Sequence, residues 1–417
     1  MSLGAVGLLL VLAGSTIGGA SCARTIGAAP ASRSFPPATR AKLQGIVNQY
    51  LSTSKAPGLL VGIWSPHGTW LTATGSSNLA TGAPLSTDVQ YKIASQTKPF
   101  TADLILQLVG EGKMSLRDHI DKWVPGVPNG NQITIRELLN NTSGLNDVAV
   151  LSNPDILIPS SAAHAKLLAG CTAAELLSSP LAPVAPPGQK WVYSNYGYDL
   201  LGRVAELVSH ESLSTLIHQR IAVPLHLSHT YLPTSGSGLT TPYMHGYLGD
   251  PAQPSAPPAD VSSLPGSCVW AAGGMVSTLS DMRKWSVALG TGELLKPSVW
   301  AEAQRDQVPS TLAHSKGFGL TRGQITYGLG FFETGGFLGH QGNLLGYTSA
   351  TYYSPTLHTT VAVADNGSFS PVSATGLAQE LAMTALGSAV DFGLDPGQGI
   401  APLSPRDLDQ VAQPDGL

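Results

Sequence analysis

The sequence predicts an α/β fold of the α+β type: one antiparallel β-sheet flanked by helices, a mainly helical lobe inserted into it, and an active site between the two. Three observations carry this reading. Near the start, the apolar run Gly58–Trp64 and the run Thr69–Gly75 are joined at Pro66-His67-Gly68, a hairpin signal. Near the end, Tyr347–Tyr353 and Thr359–Ala364 form a second hairpin around Ser354-Pro355. Between them the apolar residues recur at helical rather than strand spacing.

The flanking helices come from the two ends. Ala41–Leu51 places Leu43, Ile46, Val47 and Tyr50 on one face, and Pro371–Leu386 is read as the closing helix. In the middle, Phe100, Leu104, Ile105, Leu108 and Val109 mark a buried helix that Gly110 and Gly112 end, and Leu200, Leu201, Val204, Ala205 and Val208 mark another. The lobe is placed at roughly 110–265 within a catalytic domain at 41–386. Residues 24–40 read as an Ala, Ser and Pro linker and 387–417 as a tail of disordered composition. Asp250–Gly266, dense in proline, reads as a surface loop near the cleft mouth.

Composition agrees with a folded enzyme-sized chain. Its 417 residues can bury a large core, and hydrophobic residues make up 42%. Charged residues are 12% and the formal net charge is −4, with no basic cluster for nucleic acid or an anionic membrane surface. Met1–Ala23 carries no charged side chain, and its apolar run Leu3–Leu12 has signal-peptide length. Small residues follow, so residues 1–23 are read as an export segment cleaved after Ala20 or Ala23, or as a lipoprotein signal with Cys22 as the lipidation site. An uncleaved N-terminal anchor is the remaining alternative. The expected localisation is extracytoplasmic, at the cell envelope or secreted, with membrane attachment only through that lipid or anchor. Past Cys22 only Cys171 and Cys268 remain, and they form either one disulfide or two buried thiols.

Three stretches carry chemistry. Ser95-Gln96-Thr97-Lys98 opens the first buried helix. Residues three apart share a helix face, so Lys98 lies beside the Ser95 hydroxyl without tertiary help. A serine needs such a neighbour to take its proton. Free N–H groups at the helix start favour a developing anion there. Tyr193-Ser194-Asn195 follows the turn Pro186-Pro187-Gly188. Held beside an ammonium, the Tyr193 phenol becomes a phenolate able to accept the serine proton. Asn195 offers a donor and an acceptor to an amide substrate. The third stretch is His340-Gln341-Gly342-Asn343, a glycine-flanked strand edge along which a peptide can lie, with the Asn343 N–H as a second oxyanion donor beside that of Ser95. Each stretch alone also fits a plainer role: a polar helix start, an aromatic cluster capped at Asn195, and a β-bulge with an incidental histidine.

Ser-x-x-Lys, Tyr-x-Asn and His-x-Gly in this order resemble the penicillin-recognising serine hydrolase superfamily. The resemblance is to the branch with D-alanyl-D-alanine carboxypeptidases, class C β-lactamases and related esterases. Ile133–Leu145, with its Thr142-Ser143-Gly144-Leu145 turn, Ala271–Met282 and Tyr327–Phe331 are similar to further segments of that family, so the resemblance covers most of the chain. It implies a β-lactamase/transpeptidase-like fold and no cofactor or metal. It implies Ser95 as the acylated nucleophile, with Lys98 and Tyr193 sharing its proton. Asn195, His340, Gln341 and Gly342 would line the substrate site, and the N–H groups of Ser95 and Asn343 would form the oxyanion hole. Three positions depart from the family pattern. His340 stands where lactam-hydrolysing relatives carry lysine, Gln341 where carboxypeptidases carry a carboxylate-binding threonine, and Asn141 where histidine is frequent. The expected activity is that of an exported acyl-enzyme hydrolase, a D-alanyl-D-alanine carboxypeptidase or penicillin-binding-protein-like enzyme. The expected ligands are small peptides or esters, with β-lactams as covalent ligands. An esterase, or a penicillin-binding sensor without turnover, are the alternatives.

Other constellations fall away. No Gly-x-Ser-x-Gly elbow and no His-Glu-x-x-His occurs. His226 and His229 lack a ligand-rich neighbourhood, and Gly273-Gly274 and Gly335-Gly336 lack the context of a phosphate loop. Arg322 reads as a surface arginine, or as a grip for a substrate carboxylate.

Overall fold

A computed structural model of the chain describes residues 33–147, 153–178, 180–249, 255–309, 325–368 and 373–392. Cys22, the export segment and Arg322 lie outside them.

Helix α1 (Pro37–Ser54) leads into the hairpin β1 (Gly58–Ser65) and β2 (Gly68–Asn78), then β3 (Ala83–Pro84) and β4 (Gln90–Lys92). A 3-10 turn, Ala94–Gln96, opens α2 (Thr97–Gly110). The lobe holds α3 (Ile135–Leu139), α4 (Ala162–Ala169), α5 (Ala173–Leu177), α6 (Asn195–Ser209) and α7 (Leu213–Ile217). The strands β5 (Tyr247–Leu248) and β6 (Ala259–Asp260), helix α8 (Trp270–Gly273) and strand β7 (Val276–Thr278) lead back to α9 (Leu279–Thr291) and α10 (Pro297–Arg305). The chain then runs through β8 (Val308–Pro309), β9 (Ile325–Tyr327), β10 (Phe332–Thr334), β11 (Phe337–Leu344), β12 (Tyr347–Ser354) and β13 (Thr359–Asp365) to α11 (Ala374–Leu386).

Among the described residues, nine strands form one antiparallel sheet in the order β3-β2-β1-β13-β12-β11-β10-β9-β8. The two hairpins read from sequence meet at β1 and β13, in register from Leu59 with Asp365 to Trp64 with Thr360. Side chains alternate across a strand. Leu59, Val61 and Ile63 pack with Leu43 and Val47 of α1 and Leu377 and Leu381 of α11, whereas Leu60 joins the core of α2 and the lobe. Burial on both faces explains why β1 is apolar throughout.

Three boundaries differ from the sequence reading. Helix α1 begins at Pro37 rather than Ala41, because a proline at the first helical position needs no N–H partner. Phe35, assigned to the linker, is already buried. At the other end Gly387–Ala389 forms a 3-10 turn, and Phe392 packs on Phe337, so residues of the expected tail belong to the core. The proline-rich loop is shaped at its end by β6, which pairs with β5. The two cysteines left open by the sequence form the disulfide Cys171–Cys268, tying the α4–α5 junction to the turn before α8.

Candidate active site

Ser95 lies in the 3-10 turn ahead of α2, two residues before Thr97. The residue before it, Ala94, holds φ at 50°, the left-handed region that costs a non-glycine residue energy. Neighbouring elements hold the turn in place. Gln96 Nε2 donates to Ser349 Oγ of β12 (2.7 Å), and Ile93 N donates to Met275 O (3.1 Å). Thr97 Oγ1 accepts from Met275 N, and Thr101 Oγ1 donates to Ala271 O of α8 (2.7 Å). On the sheet side, Gly342 of β11 closes against it: a Cβ there would stand 2.2 Å from Ile93 O and 2.9 Å from Ala94 Cβ. Only glycine permits this approach.

Lys98, wholly buried, sends its three ammonium hydrogens to Ser95 Oγ (3.1 Å), Asn195 Oδ1 (2.6 Å) and Ala272 O (3.0 Å). Burial pushes its pKa down to about 7, and the charges of Asp147 and Asp199 act against that fall. Its ammonium also lies 4.5 Å from the centre of the Tyr193 ring. The Ser95 hydroxyl lies beside the Tyr193 phenol and acts to lower its pKa. So Tyr193, distant in sequence, meets Ser95 and Lys98 at one point, and Ser95 and Tyr193 retain partial exposure.

Proton affinities correct one expectation. Burial raises the Tyr193 pKa well above the usual tyrosine value, with Tyr327 adding to the rise, so the phenol keeps its proton at neutral pH. Lys98, not a Tyr193 phenolate, is the group able to lose a proton near neutrality. On losing one it accepts from Ser95 while still donating to Asn195 and Ala272.

Asn195 starts α6, behind the N-cap Ser194, whose side chain accepts from Gly197 N. Its amide is engaged at both ends, with Oδ1 on Lys98 and Nδ2 on Asp147 Oδ2 (2.6 Å). It orients the amine. Asp147, two residues past the Thr-Ser-Gly-Leu turn, was not singled out from sequence. Neither was Asp199, one turn beyond Asn195 and fully buried. An acidic residue four after the Tyr-x-Asn asparagine was the available signal for the latter.

Strand β11 presents its residues alternately. His340 faces the lobe but is buried, its ring against Tyr327 and Phe332 and 6.4 Å from that of Tyr193. Its Nδ1 bonds Gln341 O, and its Nε2 lies 3.3 Å from the Tyr327 hydroxyl. Burial and the neighbouring Lys98 lower its pKa to about 3, so the ring is neutral. Gln341 corrects a second expectation. Its Oε1 accepts from Thr375 Oγ1 of α11 (2.7 Å), on the sheet face opposite α2, so its side chain is not part of the cleft. Asn343 follows Gly342 and is exposed. Strand β10 pairs with β11 only as far as Gly339, leaving the edge from His340 to Leu344 without that partner.

Residues 43–385 match the family model described as Beta-lactamase. Penicillin-binding protein 4* of Bacillus subtilis (strain 168) is 32% identical over 180 residues, 42% of this chain and 38% of that protein. The match thus spans under half of that curated relative. A solved structure of a D-stereospecific amidohydrolase from Streptomyces sp. is 27% identical with a TM-score of 0.69, covering 82% of this chain and 98% of that one. D-amino acid amidase from Ochrobactrum anthropi SV3, complexed with D-phenylalanine, is 26% identical with a TM-score of 0.67, covering 79% and 92%. With the Ser95–Lys98–Tyr193 cluster at the junction of sheet and lobe, this chain belongs to the β-lactamase family, within the penicillin-recognising serine hydrolases.

Proposed function

We propose that this protein is an exported hydrolase that forms an acyl-enzyme at Ser95 and cleaves D-alanyl-D-alanine-like ends of cell-wall peptides. The observation that carries the reading is the placement of the Lys98 amine 3.1 Å from Ser95 Oγ, with the Tyr193 phenol beside the same hydroxyl. Neutral Lys98 takes the serine proton as Oγ attacks the substrate carbonyl. The N–H groups of Ser95 and Asn343 receive the oxyanion. The protonated Tyr193 phenol gives its proton to the leaving amine, and Lys98 restores it. Water then releases the acyl group from Ser95. Solved structures named as a D-stereospecific amidohydrolase and a D-amino acid amidase support an acyl donor of D configuration.

One observation favours a second reading, an amidase or esterase on the same apparatus. With Gln341 turned to α11, its side chain offers the cleft no group at the position where the family resemblance places carboxylate recognition. Amide and ester substrates need no such group. Rates on a D-alanyl-D-alanine peptide, a D-amino acid amide, a chromogenic lactam and a short p-nitrophenyl ester separate these readings; a peptide rate below the amide rate selects the second. Labelling by a fluorescent penicillin without turnover of any substrate selects the sensor. Ser95→Ala is expected to abolish labelling with the melting curve unchanged, and an adduct that survives overturns the nucleophile. Export is supported by the apolar N-terminal run and the Cys171–Cys268 disulfide. Intact mass of protein recovered from envelope and medium tests it: a start after Ala20 or Ala23, or a lipid on Cys22, is expected, and a full-length chain confined to the cytosol refutes it.

A further inference from the structure

We propose that Asp199 is a positioning residue that shares protons with Lys98, so that amine and carboxyl titrate as one coupled pair. Asp199 is fully buried, and neither carboxyl oxygen has a partner of good hydrogen-bond geometry. The backbone amides of Ala271 and Ala272 at the start of α8 face it. The carbonyl of the same Ala272 accepts from Lys98, so one residue lies beside both groups. Asp199 sits on the helix face of Asn195, which holds the amine directly. Helix α6 packs closely on α8: a Cβ on Gly202 would stand 2.5 Å from Ala271 Cβ.

A carboxyl left without a hydrogen bond in such a place is costly when charged. Burial, with the nearby Asp147 charge adding to it, raises its pKa to about 8, while Lys98 lowers it. Around the pair, the segment after α3 brings Asp147, α6 brings Tyr196 and Tyr198, β11 brings neutral His340, and Tyr193 stacks by the amine. Glu137 of α3 and Glu175 of α5 are held by their own helix caps. Loss of one proton from the pair yields two forms, an ammonium facing a carboxylate and a free amine facing a carboxylic acid. Only the second has the base that Ser95 needs. A second proton loss frees the amine completely.

The inference rests on Lys98 acting as base, as proposed above, but one arm of its test does not. In protein labelled with 13C at the lysine ε-carbon, the Lys98 signal, assigned by its loss in Lys98→Met, is expected to titrate in two steps. A single one-proton step overturns the proposal, whether or not a penicillin ever labels Ser95. In the second arm, acylation by fluorescent penicillin is followed against pH. Asp199→Asn removes the charge that holds the proton on Lys98, so its acid limb is expected about one pH unit lower and in a single step. A limb that superimposes on that of the wild type overturns the proposal. If Asp199→Asn fails to fold, the wild-type titration decides alone. If the titration is biphasic and Ser95 stays unlabelled, the coupled pair stands and the acyl-enzyme reading falls.

Discussion

Two lysines, six positions apart in sequence, show what separates a structural amine from a reactive one. Lys92 on β4 and Lys98 on α2 are both buried, and burial drives the pKa of each down to about 7. Each also lies over a tyrosine ring, Lys92 over Tyr347 at 5.5 Å and Lys98 over Tyr193 at 4.5 Å. Their partners differ. Lys92 donates to the carbonyls of Ser262 (2.9 Å) and Leu264, pinning the stretch that leads to Cys268, and a carbonyl has no proton to give back. Lys98 meets a hydroxyl that reaches the cleft. A depressed pKa is therefore common to both, and what sets Lys98 apart is the neighbouring Ser95 hydroxyl. The contrast breaks most visibly in acylation rates. Lys98→Met is expected to slow penicillin acylation by about 10²–10⁴-fold. Lys92→Met is expected to keep the rate within a few-fold while lowering the melting temperature, since two buried carbonyls lose their donor. Equal losses of rate in the two variants would erase the distinction.

Gly342 sharpens the same point, because it fixes the serine rather than the amine. With alanine there, either β11 or the Ser95 turn must move to relieve the 2.2 Å contact with Ile93 O. A displacement near 1 Å costs about 10²-fold in rate, so Gly342→Ala is expected to acylate about that much more slowly while folding. An unaltered rate would show that the strand does not position the nucleophile.

The pH profile gives a smaller but directional effect. In the mechanism proposed above Lys98 acts once deprotonated, so acylation is expected to rise with pH through about 7. Lys92→Met should leave that limb in place. A profile falling across this range would instead favour an ionised group that is lost on deprotonation.

How much of this was legible in the sequence depends on how local the interaction is. The hairpins at 58–75 and 347–364 are visible because a strand, a tight turn and a strand leave a contiguous signal. Strands β8 to β10 carry two or three residues each, below any periodicity, so the far edge of the sheet was not. Ser95 beside Lys98 follows from helical spacing alone. The Asn195 bridge to Lys98 and Asp147 does not, since it joins three separate elements. Gln341 was misplaced because strand alternation says only that neighbours face opposite ways, and Thr375 of α11 decides which way this one faces. The protonation of Tyr193 was misread because sequence shows the adjacent lysine but not the burial that outweighs it.

The least conspicuous expected effect isolates burial from catalysis. In the native chain Lys92 holds its proton only below about 7, whereas in the unfolded chain it holds it to about 10.4. Between these values the unfolded state binds more protons, so this residue makes stability rise with pH. Below 7 both states are charged and its contribution is flat. Methionine at 92 removes the proton difference and leaves Lys98 to titrate in both proteins. Urea unfolding at several pH values is therefore expected to give a gap between wild type and Lys92→Met that widens from pH 7 to 10, by up to about 1.4 kcal/mol per unit. Parallel curves would mean that Lys92 stays charged in the folded protein, and that the two carbonyls and the Asp260 charge outweigh its burial.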